Sequence, residues 1–226
     1  MTRDLSGAVV AVVGASGALG RRIAGVLDEH GARLVLVGRD EQALRDVGVT
    51  GEVVVGDLTD AELGERVVTV ATEAHGRLDG VVNAAGVVAF GTLADTDDAV
   101  LEQLFLVNVL GPLWLLRRVQ PALAEAGGFV VNLPGVVAEQ PLPGMVAYSA
   151  SKAALAAADQ ALSRELRRVG ITVHDVRPPH TETGLADRPL AGSAPKLPTG
   201  LDPDRVARRI VQAVLDGEPV VHAGGF

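Results

Sequence analysis

An open α/β sheet, wound in both directions and covered by helices on both faces, is the fold this chain of 226 residues predicts. Three observations carry that reading. Short apolar runs alternate with amphipathic stretches along the whole chain. A glycine-rich turn stands between the first apolar run and the first helical pattern. The composition is 48% hydrophobic but only 3% aromatic, so the core must be built from Ala, Val and Leu. Such residues suit strands buried on both faces and closely packed helices.

The first strand is Val9–Val13, five apolar residues with no alternation, which reads as a buried parallel strand. Gly14-Ala15-Ser16-Gly17-Ala18-Leu19-Gly20 follows and opens the helix Ala18–Glu29. Glycines at such a turn permit a tight bend, close backbone approach to a pyrophosphate and close helix packing, and the helix offers its first amides to phosphate. Taken alone, the stretch also fits a glycine-rich turn with no ligand. Further strands are expected at Leu34–Val37, Val53–Val55, Leu78–Val82, Phe129–Leu133, Ile171–Val176 and Pro219–His222. Helices are expected at Glu41–Val47, Ala61–His75, Asp97–Glu125, Tyr148–Val169 and Pro203–Leu215. Seven strands joined by helices form one parallel sheet in a single domain spanning residues 1–226. Ligands of such sheets bind at the carboxyl ends of the strands, near the switch in strand order.

Composition excludes several classes. There is no cysteine, hence no disulfide framework and no thiolate chemistry. The net charge of -8 counts against a general nucleic-acid partner. Residues Met1–Gly7 lack a signal-peptide core, and no apolar run approaches the ~20 residues of a membrane span. A cytoplasmic protein with no membrane partner is expected.

Tyr148 and Lys152 stand four residues apart on a helical pattern, which places them on one face. An ammonium there can stabilise a phenolate and lower a phenol that starts near ~10. Tyr148 is then a candidate proton donor and acceptor for interconverting an alcohol and a carbonyl. A Tyr and a Lys on one face are more often plain surface, so the pair draws its weight from the nucleotide signature upstream. Asn108 is a third candidate. Pro112, four residues on, has no amide hydrogen for the Asn108 carbonyl, and Gly111 eases a local kink. A kink needed only for packing is the plainer reading.

Together these motifs resemble the short-chain dehydrogenase/reductase family, whose fold is Rossmann-like, and the resemblance covers nearly the whole chain. Gly14-Ala15-Ser16-Gly17-Ala18-Leu19-Gly20 is similar to the family's phosphate-binding turn. Gly56-Asp57-Leu58-Thr59 matches the stretch whose Asp meets the adenine ring, and Asn83-Ala84-Ala85-Gly86 the turn that stabilises the central sheet. Asn108, Tyr148 and Lys152 match the catalytic positions, with a water held by the Asn carbonyl joining the Lys. Arg177-Pro178-Pro179-His180-Thr181-Glu182-Thr183 resembles the turn that meets the nicotinamide, with Pro178, Thr181 and Thr183 at the cofactor.

Several positions depart from the family pattern. Ala18 stands where the middle glycine usually lies, and Val13 replaces a Thr. The Ser expected thirteen residues before the Tyr is Gly135, in Asn132-Leu133-Pro134-Gly135. Losing such an oxyanion donor typically costs ~3 kcal/mol of transition-state stabilisation. Pro179 replaces a Gly and stiffens its turn. Ser149 and Ser151 point away from the Tyr148–Lys152 face and are expected as small packing residues. Glu139, Gln140 and His180 are polar loop residues near the cleft.

Arg39, at the end of the second strand, suits a 2′-phosphate, while Asp40 caps the next helix. NADP(H) is therefore the expected cofactor, with NAD(H) possible. The Pro-, Gly- and Ala-rich segment around 184–200 reads as a mobile lid over a small-molecule substrate. Leu142, Met145 and Val146 are expected to line an aliphatic pocket beside Tyr148. The Ala-rich face of Tyr148–Val169 and the apolar excess of Asp97–Glu125 imply, by resemblance, a homodimer or homotetramer. Two functions follow. One is NADP(H)-dependent interconversion of a carbonyl and an alcohol, favoured by Asn108, Tyr148 and Lys152. The other, favoured by Gly135, is a non-redox acid/base activity such as an isomerase, cyclase or lyase, or a nucleotide-responsive binding protein.

Overall fold

The computed structural model describes residues 2–226; Met1, part of the domain expected over 1–226, lies outside the described residues. The strands are β1 Val9–Val13, β2 Arg33–Gly38, β3 Gly51–Val55, β4 Gly80–Asn83, β5 Phe129–Asn132, β6 Thr172–Val176 and β7 Val220–Val221. The helices are α1 Ala18–Glu29, α2 Glu41–Arg45, α3 Leu63–His75, α4 Asp98–Phe105, α5 Gly111–Ala126, α6 Val146–Leu166 and α7 Pro203–Asp216. All seven strands run parallel in the order β3-β2-β1-β4-β5-β6-β7. The chain winds outward from β1 to β3, returns to place β4 against the other edge of β1, and winds outward again to β7. The switch point lies between β1 and β4.

Alternate residues of each strand feed opposite faces. Val10 and Val12 of β1 join Leu34, Leu36, Val82 and Val131 under α1 and α7, where Ile23, Leu27, Val206 and Ile210 are buried. Val9, Ala11 and Val13 join Val35, Val37, Val81 and Val130 under α3 and α5, against Val67, Leu115 and Val119.

Element boundaries shift where local chemistry intervenes. Strand β7 keeps only two residues, because Pro219 contributes a carbonyl, to Asp175 N, but has no amide for the ladder. Helix α6 starts at Val146, so Tyr148 sits in its first turn. The single helix expected over Asp97–Glu125 is continuous from α4 to α5 but widens into a π turn over Leu106–Leu110. Pro112 removes one donor just beyond that turn, which favours the wider geometry. This 29-residue stretch does reach the length and apolarity of a membrane span, contrary to the sequence expectation. Its inner positions, Leu104, Leu115, Leu116, Val119 and Leu123, are buried in the core.

Candidate active site

The carboxyl ends of β1, β2 and β4 form a backbone cradle. Gly14 adopts φ +79 and lies so close to β4 that an added Cβ would sit 2.9 Å from Ala85 N. The amides of Gly14 and Ala15 donate to Val37 O at 2.8 and 3.1 Å, tying the turn to β2. Helix α1 then passes so near that a Cβ on Gly20 would lie 2.1 Å from Gly14 O. Gly17 is its N-cap, and no side chain among the described residues caps it, so the first amides stay available to an anion. Ala18 and Leu19 open the helix, where a Cβ is harmless. Ser16 lies beside Gly38, with Arg39 next along the chain. The Arg39 side chain is 81% exposed and 3.9 Å from Asp57 Oδ2. Asp57 Oδ1 accepts from Thr59 N and Oγ1 at 2.8 Å each, which fixes its direction. Leu58 is buried, its carbonyl close against Gly111. Asp40 accepts from Ala43 N at 2.9 Å and caps α2.

The second half of the site is built from side chains. Asn108, inside the π turn, accepts from Val87 N at 3.0 Å and donates to Val87 O at 2.9 Å, locking the loop after β4. Lys152 Nζ donates to Leu133 O at 2.9 Å. A Cβ on Gly86 would lie 3.3 Å from both Asn108 Oδ1 and Lys152 Nζ, so these two groups converge on one glycine. Tyr148 keeps some solvent exposure, yet burial pushes its phenol up to about 12. This reverses the lowered phenol expected from the neighbouring ammonium: in the free protein desolvation wins and the ammonium is committed to a carbonyl. Burial also lowers Lys152 to about 8, against an opposing pull from Asp159.

Ser151 corrects another expectation. It is fully buried, accepts from Asn108 Nδ2 at 3.1 Å and donates to Tyr148 O at 2.8 Å, so it ties α6 to the Asn rather than merely filling space. Ser149 is buried, with no hydrogen-bond partner for its hydroxyl among the described residues.

Behind Lys152 runs a row of polar groups, most of them buried, of which sequence reasoning named Asn83, Glu139 and Arg177 but missed Asp159 and Asp175. Asn83, Asn132 and Asp175 are in register at the ends of β4, β5 and β6. Asn83 Nδ2 donates to Asn132 Oδ1 at 3.3 Å, and Asn132 Nδ2 to Asp159 Oδ1 at 2.6 Å. Arg177 grips Asp175 with two nitrogens and donates to Glu139 Oε1 at 3.1 Å; His222 Nδ1 lies 2.5 Å from the same oxygen. The signal available was Asp159 itself, a lone acid in the Ala-rich part of α6, seven residues after Lys152.

Gly135 adopts φ +80 and ψ 169, a region essentially reserved for glycine. The space beside it is open: an added Cβ would meet only Pro178 O, at 3.8 Å. Val136 N donates to that carbonyl at 2.9 Å and joins the loop to the turn after β6. In that turn Thr181 Oγ1 donates to Pro179 O at 2.9 Å, and Thr183 Oγ1 accepts from Leu185 N at 3.4 Å. His180 lies 3.7 Å from Glu182.

Above Tyr148 the wall is apolar. Val88, Phe90, Val137 and Met145 form a buried cluster against Tyr148, Leu185, Ala186 and Ala194. Leu142 and Val146 are not in it. They are 45% and 47% exposed and line an outer groove of about 460 Å³ with Ser149, Ala150 and Ala153. Val137 belongs to both the cluster and the groove, so the two adjoin, with Val146 exposed and Met145 buried. The segment expected as a lid is pinned: Leu190 N donates to Val88 O at 2.8 Å, Phe90 N to Ala191 O at 3.0 Å, and Thr181 bridges Leu201 at its base.

Known proteins resemble this chain in sequence and fold. The family model described as short chain dehydrogenase matches residues 8–191. An uncharacterised oxidoreductase of Staphylococcus saprophyticus is 30% identical over 221 residues, covering 93% of this chain and 92% of the relative. A solved short chain dehydrogenase of Burkholderia cenocepacia, in complex with NADP, has a TM-score of 0.87 at 26% identity, over 98% of this chain and 90% of the other. A short chain dehydrogenase/reductase of Burkholderia phymatum, in complex with NAD, reaches 0.87 at 25% over the same shares. From its turn at β1 to its Tyr–Lys helix, the chain belongs to the short chain dehydrogenase family of oxidoreductases.

Proposed function

We propose that the chain is an NADP(H)-dependent oxidoreductase that interconverts a carbonyl and an alcohol on a small aliphatic substrate. The observation that carries this is the convergence of Lys152 Nζ and Asn108 Oδ1 on Gly86. Tyr148 stands one helical turn before Lys152, and its carbonyl accepts from the Ser151 hydroxyl that also accepts from Asn108. The cradle fits a dinucleotide: Gly14 and Gly20 leave no room for a Cβ, and α1 keeps its first amides available. Gly14, Ser16, Gly17, Ala18, Leu19 and Gly20 would hold the phosphates, Arg39 the 2′-phosphate, and Asp57 and Leu58 the adenine. Asn83, Ala84, Ala85 and Gly86 would flank the ribose side, and Pro178, Thr181 and Thr183 the nicotinamide. Similar solved structures in complex with NADP and with NAD support a nicotinamide cofactor; exposed Arg39 supports NADP(H). Such a cofactor supplies or takes up hydride when bound.

The protein's own share is proton handling. Tyr148 is protonated at neutral pH and can donate to an oxygen that gains negative charge. Lys152 carries its ammonium below about 8, so reduction should fade as pH rises through that value. Gly135 supplies no hydroxyl, so orientation of the carbonyl rests on Tyr148. That absence is the observation favouring the second reading, a non-redox acid/base enzyme on the same fold.

NADPH oxidation across a panel of aliphatic ketones tests the choice. Tyr148→Phe should lower turnover by roughly 10²- to 10⁴-fold. Gly135→Ser should bring no gain, because the hydroxyl arrives on a backbone strained by about 1–3 kcal/mol. Silence of the wild type on every ketone, with NADPH tightly bound, would hand the site to the non-redox reading.

Assembly follows from the same helices. Phe105 and Leu110 on the α4–α5 stretch, and Val146, Ala150, Ala153 and Ala157 on α6, leave apolar surface exposed. We assign these faces to a homodimer or homotetramer. Light scattering after size exclusion should give twice or four times the 23.2 kDa chain mass, and a monomer at high concentration would refute the assignment.

A further inference from the structure

Seven residues beyond Lys152, on the same side of α6, stands the buried Asp159. Seven residues are close to two helical turns, so the two groups lie about 10 Å apart along the axis and both face the sheet. Asp159 is 1% exposed, and one carboxyl oxygen is held by Asn132 Nδ2 at 2.6 Å. The other, Oδ2, is buried with no hydrogen-bond partner among the described residues. Lys152 donates to the carbonyl of Leu133, the residue after Asn132, so one short stretch of β5 and its loop holds both.

Asp159 feels the charges of Asp175 and Arg177 as well as that of Lys152, whereas Lys152 feels one, that of Asp159. From β6, Asp175 and Arg177 face α6, but Arg177 grips Asp175 directly. From the loop after β5, Glu139 is held by Arg177 and by His222 beyond β7. From β4, β5 and the π turn come only the neutral Asn83, Asn132 and Asn108, and Tyr148 is the one other titratable group on this part of α6. Lys152 has one charged partner in its surroundings, Asp159.

We infer that Asp159 is a positioning residue for Lys152: as its carboxyl ionises, it holds the proton on the lysine across two turns of α6. The inference rests on Lys152 being the working lysine of the proposed oxidoreductase. Burial lifts Asp159 to about 8 and lowers Lys152 to about 8, so the two groups titrate in the same range, and Asp159 is the charge that raises Lys152 again. A purely structural Asp159 would tether α6 to Asn132 and leave the lysine's titration alone.

The sequence makes the test direct, because Lys152 and Lys196 are the only lysines. Isotope-labelled lysine therefore gives two side-chain signals by NMR, with the exposed Lys196 as internal reference. Lys152 should titrate near 8 in the wild type. Asp159→Asn, which can still accept from Asn132, should lower that midpoint by on the order of one pH unit, the shift expected for charges ~10 Å apart in a protein interior. Glu139→Gln should leave it in place. The pH profile of turnover should move with the Lys152 midpoint. An unchanged midpoint in folded Asp159→Asn overturns the inference; if that variant does not fold, Asp159→Ser is read by the same criterion. Lys152→Met separates the two claims: unaltered NADPH affinity and turnover in that variant would sink the functional reading while the measured Lys152–Asp159 coupling stood.

Discussion

The two halves of the site are made of different material. At the ends of β1 and β2, the cradle is almost all backbone: glycines, free amides and one exposed guanidinium. At the ends of β4, β5 and β6, the candidate catalytic layer is side chains, buried, polar and bonded to one another across strands. The first half is specified by what its residues lack, the second by what each neighbour supplies. A backbone site should fail abruptly when an atom is added; a side-chain site should degrade by steps.

Gly20→Ala gives the largest effect on the cradle. Its Cβ would lie 2.1 Å from Gly14 O, a backbone atom that cannot swing aside. The turn must shift, at about 1–3 kcal/mol in stability, and nucleotide binding should be lost altogether. Calorimetry with NADPH, beside a thermal melt, separates these losses, and tight binding by the variant would break the contrast. Arg39→Ala removes one exposed contact and should be milder. NADPH affinity should fall by about 1.5–3 kcal/mol, the worth of a hydrogen bond to a charged group, while NADH affinity stays put. Equal affinities for both cofactors in the wild type would remove Arg39 as the selector.

This contrast also explains what the sequence displayed. Glycine spacing and unbroken apolar runs are local signals, so the parallel sheet and the turn at Gly14–Gly20 could be read directly. The direction of the Tyr148 shift could not. It depends on how deeply the fold desolvates the phenol, which the four-residue spacing to Lys152 does not encode. Ser151 was misread because the Tyr148–Lys152 face was treated as the only working face, whereas Asn108 approaches from beside it. Leu142 and Val146 were placed in the pocket by proximity along the chain, but both are exposed and line the outer groove instead of the buried cluster. Asn132, Asp175 and Asp159 come from three elements separated by long stretches of sequence, and only the register of β5 with β6 and the packing of α6 bring them together.

The pinned segment between Gly184 and Leu201 carries a last consequence. Its main chain is already bonded to Val88 and Phe90, and Leu185, Ala186 and Ala194 are already packed against the buried cluster that Tyr148 also packs against. The conformational entropy of ordering this stretch is thus lost when the chain folds, not when a substrate arrives. A molecule that binds against this stretch meets it already in place, which favours tight association for one of the right shape. Displacing this stretch would break the two main-chain hydrogen bonds that hold it to Val88 and Phe90.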